Sequence, residues 1–268
     1  MYQNLFDSHT HSDNSHDGHD SISMMCEAVT TKNLAGFCIT DHCECDDPTL
    51  NLLNRFRGLE FEILKAQAAF RDQLMLTSGI ELGQATYYPD VAEQMLKNFK
   101  FDFVLGSLHN LPGQKDFCTF DFSKMDVPAL LRSYYEELLK LAQWNQFDSL
   151  AHITYPLRYI QGIQKIPVDM KPYEDVIREL LKTVAQNGKA IEVNTSTLRQ
   201  GLGMTMPDLP YVKLFKELGG EYVTLGSDAH WAKDIGSHLE NGMALLEEAG
   251  FRYFTVFRRR EPKLLKIL

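Results

Sequence analysis

Asp7-Ser8-His9-Thr10-His11, directly after the apolar pair Leu5-Phe6, is the stretch on which the fold turns. The lead-in reads as a short strand. Side chains alternate faces along a strand, so His9 and His11 project from the same face. Two imidazoles side by side can grip one divalent ion through ring nitrogens ~2.0–2.1 Å away. Taken alone the pair is weak, since a His-x-His is as readily a surface accident or a satisfied pair. Its meaning depends on what later strands bring to the same place.

Working outward, short β-type runs alternate with amphipathic helical segments. Phe37-Cys38-Ile39-Thr40 runs into Asp41-His42, residues 75–80 stop at Glu81, and residues 103–108 stop at His109. Ser149-Leu150-Ala151 leads to His152, Ala190-Ile191-Glu192-Val193-Asn194 is a sixth strand, and residues 222–225 lead through Gly226-Ser227 to Asp228-Ala229-His230. Between them the spacing predicts helices over 23–33, 53–70, 126–146, 172–187, 209–218 and 239–249, and a short one opened by Pro89. Residues 253–257 read as an eighth or an edge strand. Strand–helix alternation with short connections means a parallel sheet. Almost every strand ends in a histidine or carboxylate, and the C-terminal rim of a parallel barrel is where such sites are built. No Gly-rich phosphate loop marks an open doubly wound sheet. The expectation is an α/β barrel.

A length of 268 residues with 44% hydrophobic content suits one such barrel, for which ~250 residues is typical. The formal net charge of −9 argues against a nucleic-acid binder, which needs a basic stripe. The one basic run, Arg258-Arg259-Arg260, reads as a solvated end. Five cysteines (Cys26, Cys38, Cys43, Cys45 and Cys118) form no disulfide-like framework, and Cys43-x-Cys45 lacks the second pair of a structural zinc site. No signal-like segment precedes the first strand, and no apolar run approaches the ~20 residues of a membrane span. A cytoplasmic protein with reduced thiols is expected.

A rim with this many histidines and carboxylates over-supplies one ion, for which four ligands suffice, and suits two or three. The mixed N/O set fits Zn, Mn or Fe(II) better than Mg or Ca. Glu81 could bridge two ions ~3.5–4 Å apart, with a hydroxide between them as nucleophile. The residues alone therefore reach a multinuclear metallohydrolase.

The order of motifs goes further. Asp7-Ser8-His9-Thr10-His11, Thr40-Asp41-His42, Gly79-Ile80-Glu81, Gly106-Ser107-Leu108-His109, Ala151-His152 and Gly226-Ser227-Asp228-Ala229-His230 together resemble the polymerase and histidinol phosphatase (PHP) family, above all its stand-alone phosphatases, over nearly the whole chain. The resemblance implies a distorted TIM-like (β/α)7 barrel, one domain over residues 1–268, which leaves 253–257 outside the ring. It implies three divalent metal ions (Zn, Fe or Mn): one on His9, His11, Glu81 and Asp228, a second on Glu81, His109 and His152, a third on His42, His230 and Asp17. His16 is adjacent to Asp17 and competes for the last place. The implied activity is hydrolysis of a small phosphate monoester, L-histidinol phosphate, with no nucleic-acid or membrane partner. A related phosphoesterase of nucleotides or DNA ends, or a non-catalytic metal-stabilised module, are the alternatives.

Phosphoryl transfer also needs cations on the non-bridging oxygens, and arginine's planar fork suits phosphate. Arg158 and Arg199 follow rim strands. Glu81, Asp228, His230 and Arg199 are the expected catalytic set, and Arg158, Arg199 and Ser227 the expected substrate contacts. Asp7 is expected either to orient an imidazole or to make a structural hydrogen bond. Ser107, Glu192 and Asn194 read as pocket lining or satisfied interior groups. Trp231, Tyr87, Tyr88, Tyr155 and Tyr159 are packing residues by default, near enough to shape a pocket.

Overall fold

The chain after Leu5 enters β1 (Phe6–Thr10), buried along its whole length although only Phe6 is apolar. A parallel strand buried on both faces is normally apolar throughout. Here Asp7, His9 and Thr10 are each received by a polar partner (Ser227, Glu192 and Cys38 O), while Ser8 Oγ has none. In the computed structural model, which describes residues 2, 4–47 and 51–267, the chain continues as α1 (Ile22–Thr31), β2 (Gly36–Ile39), β3 (His42–Glu44), α2 (Leu52–Ala69), β4 (Met75–Gly83), α3 (Pro89–Asn98), β5 (Phe103–Ser107) and α4 (Val127–Trp144). It then runs through β6 (Ser149–Leu150), α5 (Tyr155–Leu157), α6 (Glu174–Gln186), β7 (Ala190–Asn194), α7 (Leu209–Glu217), β8 (Val223–Gly226), α8 (Leu239–Glu248), β9 (Tyr253–Arg258) and β10 (Glu261–Lys266).

The helices start where the local chemistry supplies caps. Ser21 caps α1, Asp126 accepts from Ala129 N at 3.0 Å ahead of α4, and Pro89 opens α3. Asn145 ends α4 in the left-handed conformation. The apolar stripe of α4 (Leu131, Tyr134, Leu138 and Leu141) is fully buried against the barrel wall and its neighbours.

The sheet is parallel in the order β1-β2-β4-β5-β6-β7-β8, seven strands in a nearly closed ring. It closes beyond the strand ends: Asp228 N donates to His9 O and His11 N to Ala229 O, both at 2.8 Å. The expected distorted barrel is the observed one. Two departures matter for the site. The second barrel strand is broken, leaving β2 at Ile39 and resuming as β3, and both parts pair with β4, with His42 opposite Glu81. β4 itself runs on to Gly83 rather than stopping at Glu81.

Residues 253–257 lie in β9, which pairs antiparallel with β10 outside the ring. The reading of Arg258-Arg259-Arg260 as a solvated end is corrected here. Arg259 and Arg260 form the hairpin turn at φ 54° and 61°. The Arg260 guanidinium grips Asp148 through Nε (3.0 Å) and Nη2 (2.9 Å). Arg259 N also donates to Asp102 at 2.9 Å. It is Arg260 that departs from that reading: its side chain clamps the hairpin to the bottom of the barrel, while the side chains of Arg258 and Arg259 are exposed as expected. All five cysteines are free thiols. Among the described residues no helix is long and apolar enough to cross a membrane.

Candidate metal centre

The strand ends bring the predicted residues to one rim in three groups. In the first, His9 Nε2 lies 3.0 Å from His11 Nε2, 3.4 Å from Glu81 Oε2 and 3.7 Å from Asp228 Oδ1. His11 Nε2 is 3.5 Å from both carboxylates. In the second, Glu81 Oε1 faces His109 Nε2 at 3.1 Å and His152 Nε2 at 2.9 Å, and those nitrogens are 3.3 Å apart. In the third, Asp17 lies between His230 (Oδ2 to Nε2, 3.1 Å) and His42 (Oδ1 to Nε2, 3.5 Å). His16 Nδ1 is 3.9 Å from Asp17, its side chain 62% exposed, and it makes no closer polar contact with the cluster.

Four atoms around an ion with ~2.0–2.1 Å bonds sit ~3.3–3.4 Å apart at tetrahedral vertices. The first group's separations bracket that value. Glu81 Oε2 is buried, takes no hydrogen bond, and looks at three imidazoles. A carboxylate oxygen left this way is costly unless a cation faces it. Ligand-type triads recur at His11/His42/His230, His9/His11/Asp228 and His42/Glu81/His109. The residues fit divalent metal ions.

The electrostatics agree with that fit. Burial alone would push the Glu81 carboxyl up, but the imidazoles of His109, His9 and His42 outweigh it and hold Glu81 well below the ordinary range. Asp228 is held down in the same way by His9 and Arg158, against its burial. Burial would lower His9 and His109. The carboxylates facing them, Glu192 and Glu81 for the one and Glu44 and Glu81 for the other, raise both instead. His11 goes the other way, kept low by burial and by His42 and His230 beside it. The carboxylates of the site are thus held ionised against a crowd of imidazole rings.

Backbone geometry serves the same end. His152 and Asp228 adopt positive φ (41° and 53°), uncommon for non-glycine residues, and this turns each side chain inward just past its strand.

Around these groups the structure sorts the remaining candidates. Arg158 is buried, and its Nη2 donates to Asp228 Oδ2 (2.6 Å) and Ser196 Oγ (2.7 Å). Arg199 donates to Ser227 O (2.7 Å) and Asp228 O (2.9 Å). Both arginines line a cavity of about 1080 Å³ over the rim, together with Tyr155, Tyr159 and Trp231.

Ser227, expected to touch substrate, is absent from that lining, and its hydroxyl is committed to Asp7. Asp7 touches no imidazole. It accepts from Ser227 N (2.8 Å) and Gly236 N (2.7 Å), so it braces the β1–β8 closure, which is the structural option of the two expected. Tyr87 and Tyr88 lie off the cavity; Tyr87 donates to Asn110 O.

Among the site neighbours not foreseen, Glu44 lies nearest the ligand groups. Glu44 Oε1 lies 3.0 Å from His109 Nδ1 and 3.3 Å from His42 Nδ1. The signal was present in His42-Cys43-Glu44, the same i, i+2 spacing as His9 and His11, but it shows only once that segment is recognised as a strand.

Fold and site together define a class: a distorted β/α barrel whose rim is built to hold divalent metal ions. The chain belongs to the PHP domain family, whose model matches residues 7–196. It is 30% identical to a probable histidinol-phosphatase of Thermotoga maritima over 94% of this chain and 95% of that protein. It is 28% identical to a histidinol-phosphatase of Lactococcus lactis subsp. lactis, over 94% and 93%. Among solved structures it superposes on histidinol phosphate phosphatase of Lactococcus lactis subsp. lactis, complexed with zinc, L-histidinol and phosphate. That match has a TM-score of 0.83 and 24% identity and covers 97% of this chain and 99% of that one.

Proposed function

We propose that this protein is a metal-dependent phosphatase that hydrolyses L-histidinol phosphate to L-histidinol and phosphate, the whole chain acting as one domain in the cytoplasm. The observation that carries this reading is the convergence of three groups of ligand-type atoms on Glu81 and its neighbours, with two arginines in the same cavity. The choice of substrate draws on the relatives, which are named histidinol-phosphatases over more than nine-tenths of this chain.

Three ions (Zn, Fe or Mn) would be held as His9, His11, Glu81 and Asp228; Glu81, His109 and His152; and His42, His230 and Asp17. When bound, such ions lower the pKa of coordinated water and neutralise phosphoryl charge. The rest falls to the chain's own side chains. Arg158 and Arg199 each carry five N–H donors, of which the contacts above use only some, so both can turn N–H groups to the phosphoryl oxygens. Asp228 holds Arg158 in place through its outer oxygen while its inner oxygen faces His9 and His11. Tyr155 lies under Arg158 at 5.1 Å and stacks on His152, which limits the freedom of both.

The same cavity is lined by Asp46, Asp47, Asp116 and Asp234. Those carboxylates suit a leaving alcohol that carries an ammonium or imidazolium group and disfavour the polyanionic backbone of a nucleic acid.

Turnover measured on L-histidinol phosphate, p-nitrophenyl phosphate, nucleoside monophosphates and a 3′-labelled oligonucleotide tests the reading. The expected order places histidinol phosphate first in kcat/KM; preference for a nucleotide or oligonucleotide would refute it. For the third group, metal analysis of Asp17→Ala is expected to show one equivalent fewer and His16→Ala none lost. Loss confined to the His16 variant would reassign that ligand.

A further inference from the structure

Of the seven ring strands, β7 alone brings no residue to the three groups described above. Its inward side chains are nonetheless polar and fully buried: Glu192 is 1% exposed and Asn194 0%. Taking a carboxylate out of water is costly unless it is partnered, and an apolar residue would fill the same space without that cost. Where Glu192 spends its charge is therefore informative.

Glu192 Oε1 lies 2.7 Å from His9 Nδ1, the shortest polar contact of that ring. A neutral imidazole that donates from Nδ1 presents its lone pair at Nε2, and His9 Nε2 is the atom facing His11, Glu81 and Asp228. Glu192 Oε2 in turn accepts from Asn194 Nδ2 at 3.2 Å, and the same amide reaches Asp228 Oδ2 at 3.4 Å. Asn194 Oδ1 accepts from Ser196 N and Oγ, and that hydroxyl receives Arg158. One strand thus holds the outer atoms of two residues of the first group and of an arginine.

A separate observation comes from the next strand. Gly226 pairs with Asn194, and a Cβ there would fall 2.2 Å from Glu192 Oε1 and 2.5 Å from the His9 Cβ. A side chain there would force Glu192 or His9 to move, so β8 leaves a gap that the His9–Glu192 pair fills.

We propose that Glu192 is a positioning residue that fixes the ring of His9 with Nε2 aimed into the site, and that Gly226 supplies the space this contact needs. The inference rests on the metal reading of the site for its consequence, but the ring contact itself does not.

The test has two readouts. Zinc alone is titrated against a chromophoric chelator for wild type, Glu192→Ala, Glu192→Gln and Gly226→Ala. Loss of an outer hydrogen-bond partner typically costs ~10–100-fold in metal affinity. Glu192→Ala is expected to lose that much for one equivalent while the others keep theirs. Glu192→Gln, which retains an acceptor oxygen, should recover part of it. Gly226→Ala should reproduce the loss with the carboxylate intact.

In the metal-free proteins, a low-field Nδ1–H proton resonance of His9 is expected in wild type and Glu192→Gln and not in Glu192→Ala. Unchanged zinc affinity together with an unchanged resonance in Glu192→Ala would overturn the proposal. A wild type that takes up no zinc yet shows the Glu192-dependent resonance would defeat the metal reading and uphold the ring contact.

Discussion

Glu81→Gln is expected to reduce kcat by more than the ~10–100-fold that loss of an outer hydrogen-bond partner costs a metal site. Glu81 spans two of the ligand groups. Its Oε1 faces His109 and His152, and its Oε2 faces His9, His11 and His42. Glutamine preserves shape and volume but replaces one oxygen with an NH2 that can only donate, and removes the charge balancing the surrounding imidazoles. The variant should therefore lose bound metal along with turnover while keeping the circular dichroism of a folded barrel, because β4 packs through its other residues. Steady-state kinetics and metal analysis on one preparation check this. Activity within a few-fold of wild type would remove Glu81 from the centre of the account.

The second large effect is expected at Arg158. Replacing it with alanine removes a guanidinium from the cavity and leaves the buried Asp228 Oδ2 with only the long 3.4 Å contact from Asn194. Loss of one preorganised donor to developing charge costs on the order of 10^2–10^3 in rate, and kcat/KM should fall at least that far. Arg158→Lys should recover little, since an ammonium is a point charge and cannot reach Asp228, Ser196 and a phosphoryl oxygen with one planar fork. Arg199→Ala should be milder in its effect on Asp228, because Arg199 hydrogen-bonds the backbone carbonyls of residues 227 and 228 and not the Asp228 carboxylate. Equal rescue by lysine would indicate that Arg158 acts through net charge alone.

Much of this was legible in the chain. The ring strands, the helices and the C-terminal rim followed from alternation, caps and the placement of polar residues. Histidines and carboxylates at successive strand ends have few other uses. Contacts that depend on how strands meet in space were not legible. The break at residues 40–41 hid β3 and with it Glu44, because a three-residue strand carries no periodicity of its own. Asp7 and Ser227 lie 220 positions apart and bond only because the barrel closes there, so a sequence cannot separate brace from ligand partner. Arg260 read as solvated with its exposed neighbours Arg258 and Arg259 because its partner Asp148 is more than a hundred residues upstream.

Dependence of hydrolysis on metal held by these strand ends is open to a single preparation. It is tested most directly by measuring metal content and L-histidinol phosphate turnover on the same purified sample, before chelation, after it, and after graded return of zinc, iron or manganese. About three equivalents per chain are expected, with turnover lost on chelation and recovery that tracks the metal returned. Full turnover in protein stripped of metal would contradict it.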